Sequence, residues 1–205
     1  MIQEEYWKKY PWYEIVEGDG IEQGDFIDDC KVIIPRYTLT DLAEETASPG
    51  TSSHQVDADV DTYNVIIISQ SCDLDKMKVD YVLVCPRWSY TEVVKDNPKF
   101  GTKDAFERIK KGIEYRYCML DQGDLPDLPA EVQIVDFNKV FSIPYEIMKQ
   151  IALSNGKRLR LRSPYKERLA QAFAYFHMRV ALPNDLPSHA EAKASMQVNT
   201  ASTAL

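Results

Sequence analysis

The sequence predicts a mixed α+β domain: a small β-rich core, a helical insertion, and a C-terminal amphipathic helix that closes the core. Three observations lead there. Tyr63–Ser69 (YNVIIIS) and Tyr81–Pro86 (YVLVCP) are continuous apolar, β-branched runs of strand length, the pattern of strands buried on both faces. Residues 88–111 carry helical spacing in two pieces, broken near Asn97-Pro98, with Ala105, Phe106 and Ile109 on one stripe. Leu169, Ala172, Phe173, Phe176 and Val180 recur at helical intervals and form an apolar stripe that must dock on the sheet.

The remaining elements follow in order. Residues 1–19 are dense in aromatic side chains (Tyr6, Trp7, Tyr10, Trp12, Tyr13) and are expected to form a short helix or hooked segment over the core. A first strand runs from Gly24 to Ile27 and continues over Cys30–Pro35. Residues 39–61 are acidic and turn-rich, a long disordered surface loop. The polar run from Gln70 to Asp80 reads as a loop or hairpin connection, and Pro86 ends the second buried strand because it has no N–H for the ladder. Glu114–Leu120 reads as a strand, and Val132–Ile143 as a strand or bent hairpin. Pro144 suits the first helical position before Tyr145–Ser154, which Asn155-Gly156 stops. Leu159–Arg162 alternates with period 2, so Arg160 and Arg162 share a face. Ser163 is the expected N-cap of the closing helix, with Pro164 in its first turn and Leu182-Pro183 at its end. The domain spans 20–183, and 184–205 is a small, polar, disordered tail.

Bulk properties exclude several classes. The 205 residues are 44% apolar and 27% charged, ordinary for a globular domain that needs no metal or disulfide staple. Cys30, Cys72, Cys85 and Cys118 stand singly without a CxxC pair, so neither metal nor cofactor is expected. The N-terminus lacks the apolar run of a signal peptide, and no stretch approaches the roughly 18–20 apolar residues of a membrane span. The expectation is a cytoplasmic protein with reduced thiols and no membrane partner. A net charge of −8 opposes indiscriminate binding of nucleic acid but leaves room for a local basic groove.

Chemistry concentrates after the first buried strand. Ile66-Ile67-Ile68 releases Ser69, Gln70, Ser71, Cys72 and Asp73 in succession, and polar groups at the mouth of a buried strand are where sites tend to sit. Ser69, Ser71, Cys72 and Asp73 are therefore the candidate catalytic residues. A nucleophilic Cys72 needs a base or cation from elsewhere, because the adjacent Asp73 disfavours its thiolate. The histidines His54, His177 and His189 carry no local signature. The structural alternative is a small thiol in a turn, with Ser69, Ser71 and Asp73 satisfying backbone groups. A second constellation is basic: Lys157, Arg158, Arg160, Arg162, Lys166 and Arg168, extended by Arg108, Lys110 and Lys111. Arg36, Arg160 and Arg162 are the candidate phosphate contacts, and a solvated face balancing an acidic protein is the alternative.

Gly24-Asp25-Phe26-Ile27, Asn64–Ser69 and Tyr81–Pro86 together resemble the opening strands of the PemK/MazF family of small SH3-like barrels, over roughly residues 20–87. The resemblance implies an SH3-like β-barrel and an RNA-binding or RNA-cleaving role, as in toxins held by antitoxins. Thr62-Tyr63 stands where that family carries Arg-Pro, so its catalytic Arg has no counterpart here. Three functions follow as expectations: an RNA-directed barrel protein linked to toxin or phage-defence biology in bacteria, a non-catalytic subunit that binds a protein partner or itself, and a Cys72-dependent enzyme.

Overall fold

The computed structural model describes residues 11–36, 57–123, 125 and 131–178. These residues form an α+β protein. In chain order come β1 (Tyr13–Val16), β2 (Phe26–Pro35), β3 (Ala58–Ile67), α1 (Ser71–Asp75) and β4 (Tyr81–Ser89). Then follow α2 (Tyr90–Asp96), a 3-10 turn (Pro98–Gly101), α3 (Lys103–Lys110), β5 (Tyr117–Leu120) and β6 (Gln133–Asp136). β7 (Phe141–Pro144), α4 (Tyr145–Asn155), β8 (Arg158–Leu161) and α5 (Tyr165–His177) complete it.

The main sheet is antiparallel and open, in the order β2-β3-β4-β6-β5, with β7 also paired to β4. β1 and β8 form a separate antiparallel ribbon, linked to the start of β2 by a bridge between Asp25 and Arg160. β3 is buried on both faces at its end, as its unbroken apolar run predicts. Ile66 and Ile68 face a core shared with Tyr13, Phe26, Cys85, Leu120, Leu159, Leu161 and Leu169. Val65 and Ile67 face a second core with Val82, Val84, Leu74, Met148 and Ala152. The first, inner face is therefore covered by the β1–β8 ribbon and α5, and the outer face by α1 and α4. The α2–α3 insertion packs Phe106 and Ile109 against Met119 and Ile134.

Several boundaries differ from the sequence reading. Pro86 does not end β4, which runs on to Ser89. Pairing with β3 stops at Pro86 and pairing with β6 starts at Arg87, so the missing N–H falls where the strand changes partner. β6 and β7 both run along β4, interrupted by a turn between Asp136 and Phe141. Residues 13–16 are a strand rather than a helix, because Tyr13–Val16 pair residue for residue with β8. Residues 58–61, assigned to the long loop, belong to β3 and pair with Val32–Pro35. Ser71–Asp75 is a short helix instead of a plain loop, anchored by the fully buried Leu74. Glu114–Arg116 precede β5 rather than opening it.

The helices begin and end at defined caps. Ser89 builds a full capping box with Glu92, and Thr102 caps α3. Gly156 ends α4 at φ 70°. At α5 the cap position is Pro164, and the Ser163 hydroxyl donates instead to the Glu167 carboxylate at 2.6 Å. Leu169 is buried in the inner core with Ala172, Phe173 and Phe176 packed beside it. Trp12 stacks on Tyr165 at 3.9 Å between ring centres. The expectations for residues 1–10, 37–56 and 179–205, including Val180, His54, His189 and the tail, lie outside the described residues.

Gly24 has a structural obligation of its own. Its φ is +87°, and a Cβ there would lie 2.8 Å from Leu161 Cβ in β8. Gly24→Ala is expected to cost about 1–3 kcal/mol, read as a lower urea midpoint with unchanged slope.

Candidate functional site

The polar run after β3 is held by the segment before β2. The Gln23 side chain donates to the Ile68 carbonyl at 2.8 Å, and the Gln23 N–H donates to Ser71 Oγ at 3.2 Å. Ser71 Oγ lies 3.4 Å from a Glu22 carboxylate oxygen. Ser69 Oγ accepts from the Leu83 N–H at 2.8 Å, extending the β3–β4 contact by one residue. Both serine hydroxyls thus satisfy local groups, the structural role that competes with catalysis.

Cys72 is exposed, with its sulfur 3.7 Å from Gln70 Oε1 and 3.8 Å from Asp73 Oδ1. Asp73 faces Lys78 at 3.7 Å. Cys72 lines a cleft of about 510 Å³ with Ser71, Glu22, Lys149 and Arg160. Asp73 does not line this cleft. His177, the histidine among the described residues, packs on Phe173 and Phe176 of α5 and is not part of the cleft either.

The arginines of β8 are engaged in a buried ion network. Leu159 and Leu161 point into the inner core, which sends Arg158 and Arg160 to the other face. There they converge on Asp25, which has no exposed surface. Arg158 Nε donates to Asp25 Oδ2 at 3.0 Å and Arg160 Nη2 to the same oxygen at 2.9 Å, while Arg160 Nε binds Asp25 Oδ1. Arg158 also donates to the carbonyls of Gly18 and Gly20, and Arg160 to Gly20 and to Glu22 Oε1 at 2.7 Å. Burial works against the Arg160 charge, but the bonds to Asp25 and the charges of Asp25 and Glu22 outweigh it and hold the guanidinium above its ordinary value.

The structure corrects the shared face expected for Arg160 and Arg162. β8 ends at Leu161, so the partner of Arg160 is Arg158 and Arg162 lies exposed just past the strand. Arg36 is exposed at the end of the β2–β3 ribbon, paired with Asp59. It does not join Arg160 and Cys72 in the cleft they line.

A larger cleft, about 720 Å³, opens between β8, the start of β2 and the β4–β6 pair. Its floor is Arg87, packed over the Phe26 ring at 4.2 Å and bonded to Gln133 Oε1 at 2.9 Å and to Asp28. Arg87 is missed by a sequence reading that ends the strand at Pro86. Asp28 sits on a β-bulge, where Asp29 adopts φ 51°. The bulge backbone is pinned by the Asn155 side chain, which accepts from the Asp28 N–H and donates to its carbonyl.

The other three cysteines are sealed in the core. Burial pushes the thiols of Cys30 and Cys118 up to about 11 and that of Cys85 up to about 12, from the ordinary 9.0. A thiol whose value is raised on folding stabilises the fold below the unfolded value and loses that contribution as pH rises through the folded one. The urea midpoint is therefore expected to fall as pH rises from 9 toward 11–12, and a thiol reagent at pH 8 should label Cys72 alone until the chain unfolds. Asp25→Asn leaves two buried guanidinium groups without their carboxylate and is expected to cost about 3–5 kcal/mol in urea unfolding. Arg36→Ala, at an exposed pair, should leave the midpoint within error. No protein-family model, curated protein or solved structure matches this chain.

Proposed function

We propose that the chain is a non-catalytic protein-interaction module, a subunit of a bacterial-type defence or regulatory complex. One observation carries this reading: the guanidinium groups of Arg158 and Arg160 are bonded to Asp25, Glu22 and the carbonyls of Gly18 and Gly20. Cations committed to an internal carboxylate are poor phosphate ligands, since a phosphate must displace Asp25 from a site with no exposed surface. The hydroxyls of Ser69 and Ser71 are likewise spent on Leu83, Gln23 and Glu22. Ile33 and Val60, directly opposed across the β2–β3 ribbon and both more than half exposed, support an interaction role.

The finer architecture belongs to the same reading. The β1–β8 ribbon meets the start of β2 at the Asp25–Arg160 bridge, and the Tyr13 hydroxyl donates to the Asp121 carbonyl just beyond β5 at 2.5 Å. These links, with one core common to ribbon and sheet, support a barrel of the SH3-like, PemK/MazF kind. They also keep an RNA-directed role as the second reading, with the exposed Arg162 as its phosphate contact.

Affinity capture from the native host, followed by reconstitution with the purified partner, should give a complex of fixed stoichiometry by light scattering. A strict monomer that retains no stoichiometric protein overturns the interaction reading. Incubation with total RNA should give neither fragments nor a retained complex. Cleavage that is lost in Arg162→Ala would move the assignment to the RNA reading.

A further inference from the structure

Arg87 differs from four other arginines in how its donors are used. In Arg36, Arg108, Arg116 and Arg160 both Nε and Nη2 bind a single carboxylate. Arg87 gives Nη1 to the buried amide of Gln133 and Nη2 to one oxygen of Asp28. Its Nε is a buried nitrogen without a hydrogen-bond partner among the described residues. The residue is only 8% exposed, and a guanidinium is costly to bury with a donor unspent. Burial pulls its charge below the ordinary arginine value, against the raising effect of Asp28, Tyr13 and Glu92.

The counter-ion is an unusual one for so buried a cation. The Asp28 side chain is 62% exposed and reaches Arg87 from the β2 bulge. A ligand carboxylate could take its place without a change of charge at the floor, sending the Asp28 carboxylate to water. The rim sets the rest of the ligand. Asp29, Glu92 and Glu131 line the same cleft, and with Asp28 they outnumber its cations, Arg87, Lys157 and the Asp25-bonded Arg158. Glu92 spends one oxygen on the Ser89 N–H and Glu131 spends one on the Thr91 hydroxyl. A polyanion would meet these carboxylates unfavourably, whereas a cationic group behind the ligand's carboxylate would complement them. A cleft of about 720 Å³ has the size of a small-molecule site.

We propose that the cleft over Arg87 binds a small zwitterionic carboxylate: a basic amino acid, or the free C-terminus of a chain ending in a basic residue. The ligand's carboxylate replaces Asp28 at Nη2 and reaches Nε once the Asp28 side chain has swung away, and its cationic group meets Glu92 and Glu131. The site does not rest on the interaction reading above, since a free amino acid would fill it in a chain with no protein partner.

Calorimetric titration of the full chain tests it, with L-lysine, a tripeptide ending in lysine, the same tripeptide as its C-terminal amide, and glutarate as probes. Saturable binding of lysine, of the free tripeptide, or of both is expected. The amide and glutarate should bind at least about tenfold more weakly than whichever carboxylate binds. Lysine as tight as the tripeptide identifies a free amino acid, and the tripeptide alone identifies a chain terminus. Glu131→Gln should weaken the carboxylate probe severalfold, and Asp28→Asn, which weakens the internal competitor, should strengthen it. The proposal is overturned if neither carboxylate binds at about 10 mM, or if the amide binds equally well. Should Asp28→Asn fail to fold, the wild-type titration and Glu131→Gln decide the matter alone.

Discussion

A carboxylate sealed from water holds this molecule together. Asp25 accepts from Arg158 and Arg160, and through them it fastens β8 to the start of β2 and gathers the carbonyls of Gly18 and Gly20. Burying three charges is expensive, and their mutual attraction offsets that cost only when the geometry leaves few lone pairs or protons unused. Here the network is nearly closed, because Glu22, itself part-exposed, takes the outward donor of Arg160. The close approach of Gly24 to Leu161 follows from the same junction. Only a residue without a side chain lets β8 come near enough for Arg160 to reach its partner.

That junction explains what the chain does with its polar residues. The segment 22–25 braces the Ser69–Cys72 turn on one side and β8 on the other, so the hydroxyls and guanidinium groups that look catalytic in sequence are consumed as structural bonds. In a chain of net charge −8, the basic residues of β8 are turned inward. Among the described residues, Cys72 keeps an exposed thiol and Arg87 an unpartnered Nε at the floor of the larger cleft.

How much of this was legible depends on whether the cause was local. The buried run Val65–Ile68 reads correctly because period and burial are both written in consecutive residues. So do the breaks at Asn97-Pro98 and Gly156, where a proline or a positive φ acts on its own neighbourhood. Arg158 and Arg160 are different. The alternation over Leu159–Arg162 is legible and pairs Arg160 with Arg162, yet the partner that turns Arg158 and Arg160 inward lies more than 130 residues earlier at Asp25. Arg87 was hidden by a rule that is sound on average. Proline ends a strand unless its missing donor coincides with a change of partner, and that is a fact about β3 and β6 rather than about Pro86. The serines and Cys72 stood out by composition, but their duties are set by Gln23 and Leu83, which no spacing rule connects to them.

The ribbon at the edge of the sheet has a consequence for biosynthesis. β1 leaves the ribosome well before β8, but Tyr13 pairs with Leu161 and its hydroxyl rests on the carbonyl of Asp121. Until nearly the whole domain has emerged, Trp12 and Tyr13 have no surface to cover, and the inner core lies open on that side. These two aromatic residues are thus stored, unsatisfied, until β8 and α5 arrive. Long-range pairing of this sort makes folding slow and leaves the docking of the ribbon to a late step.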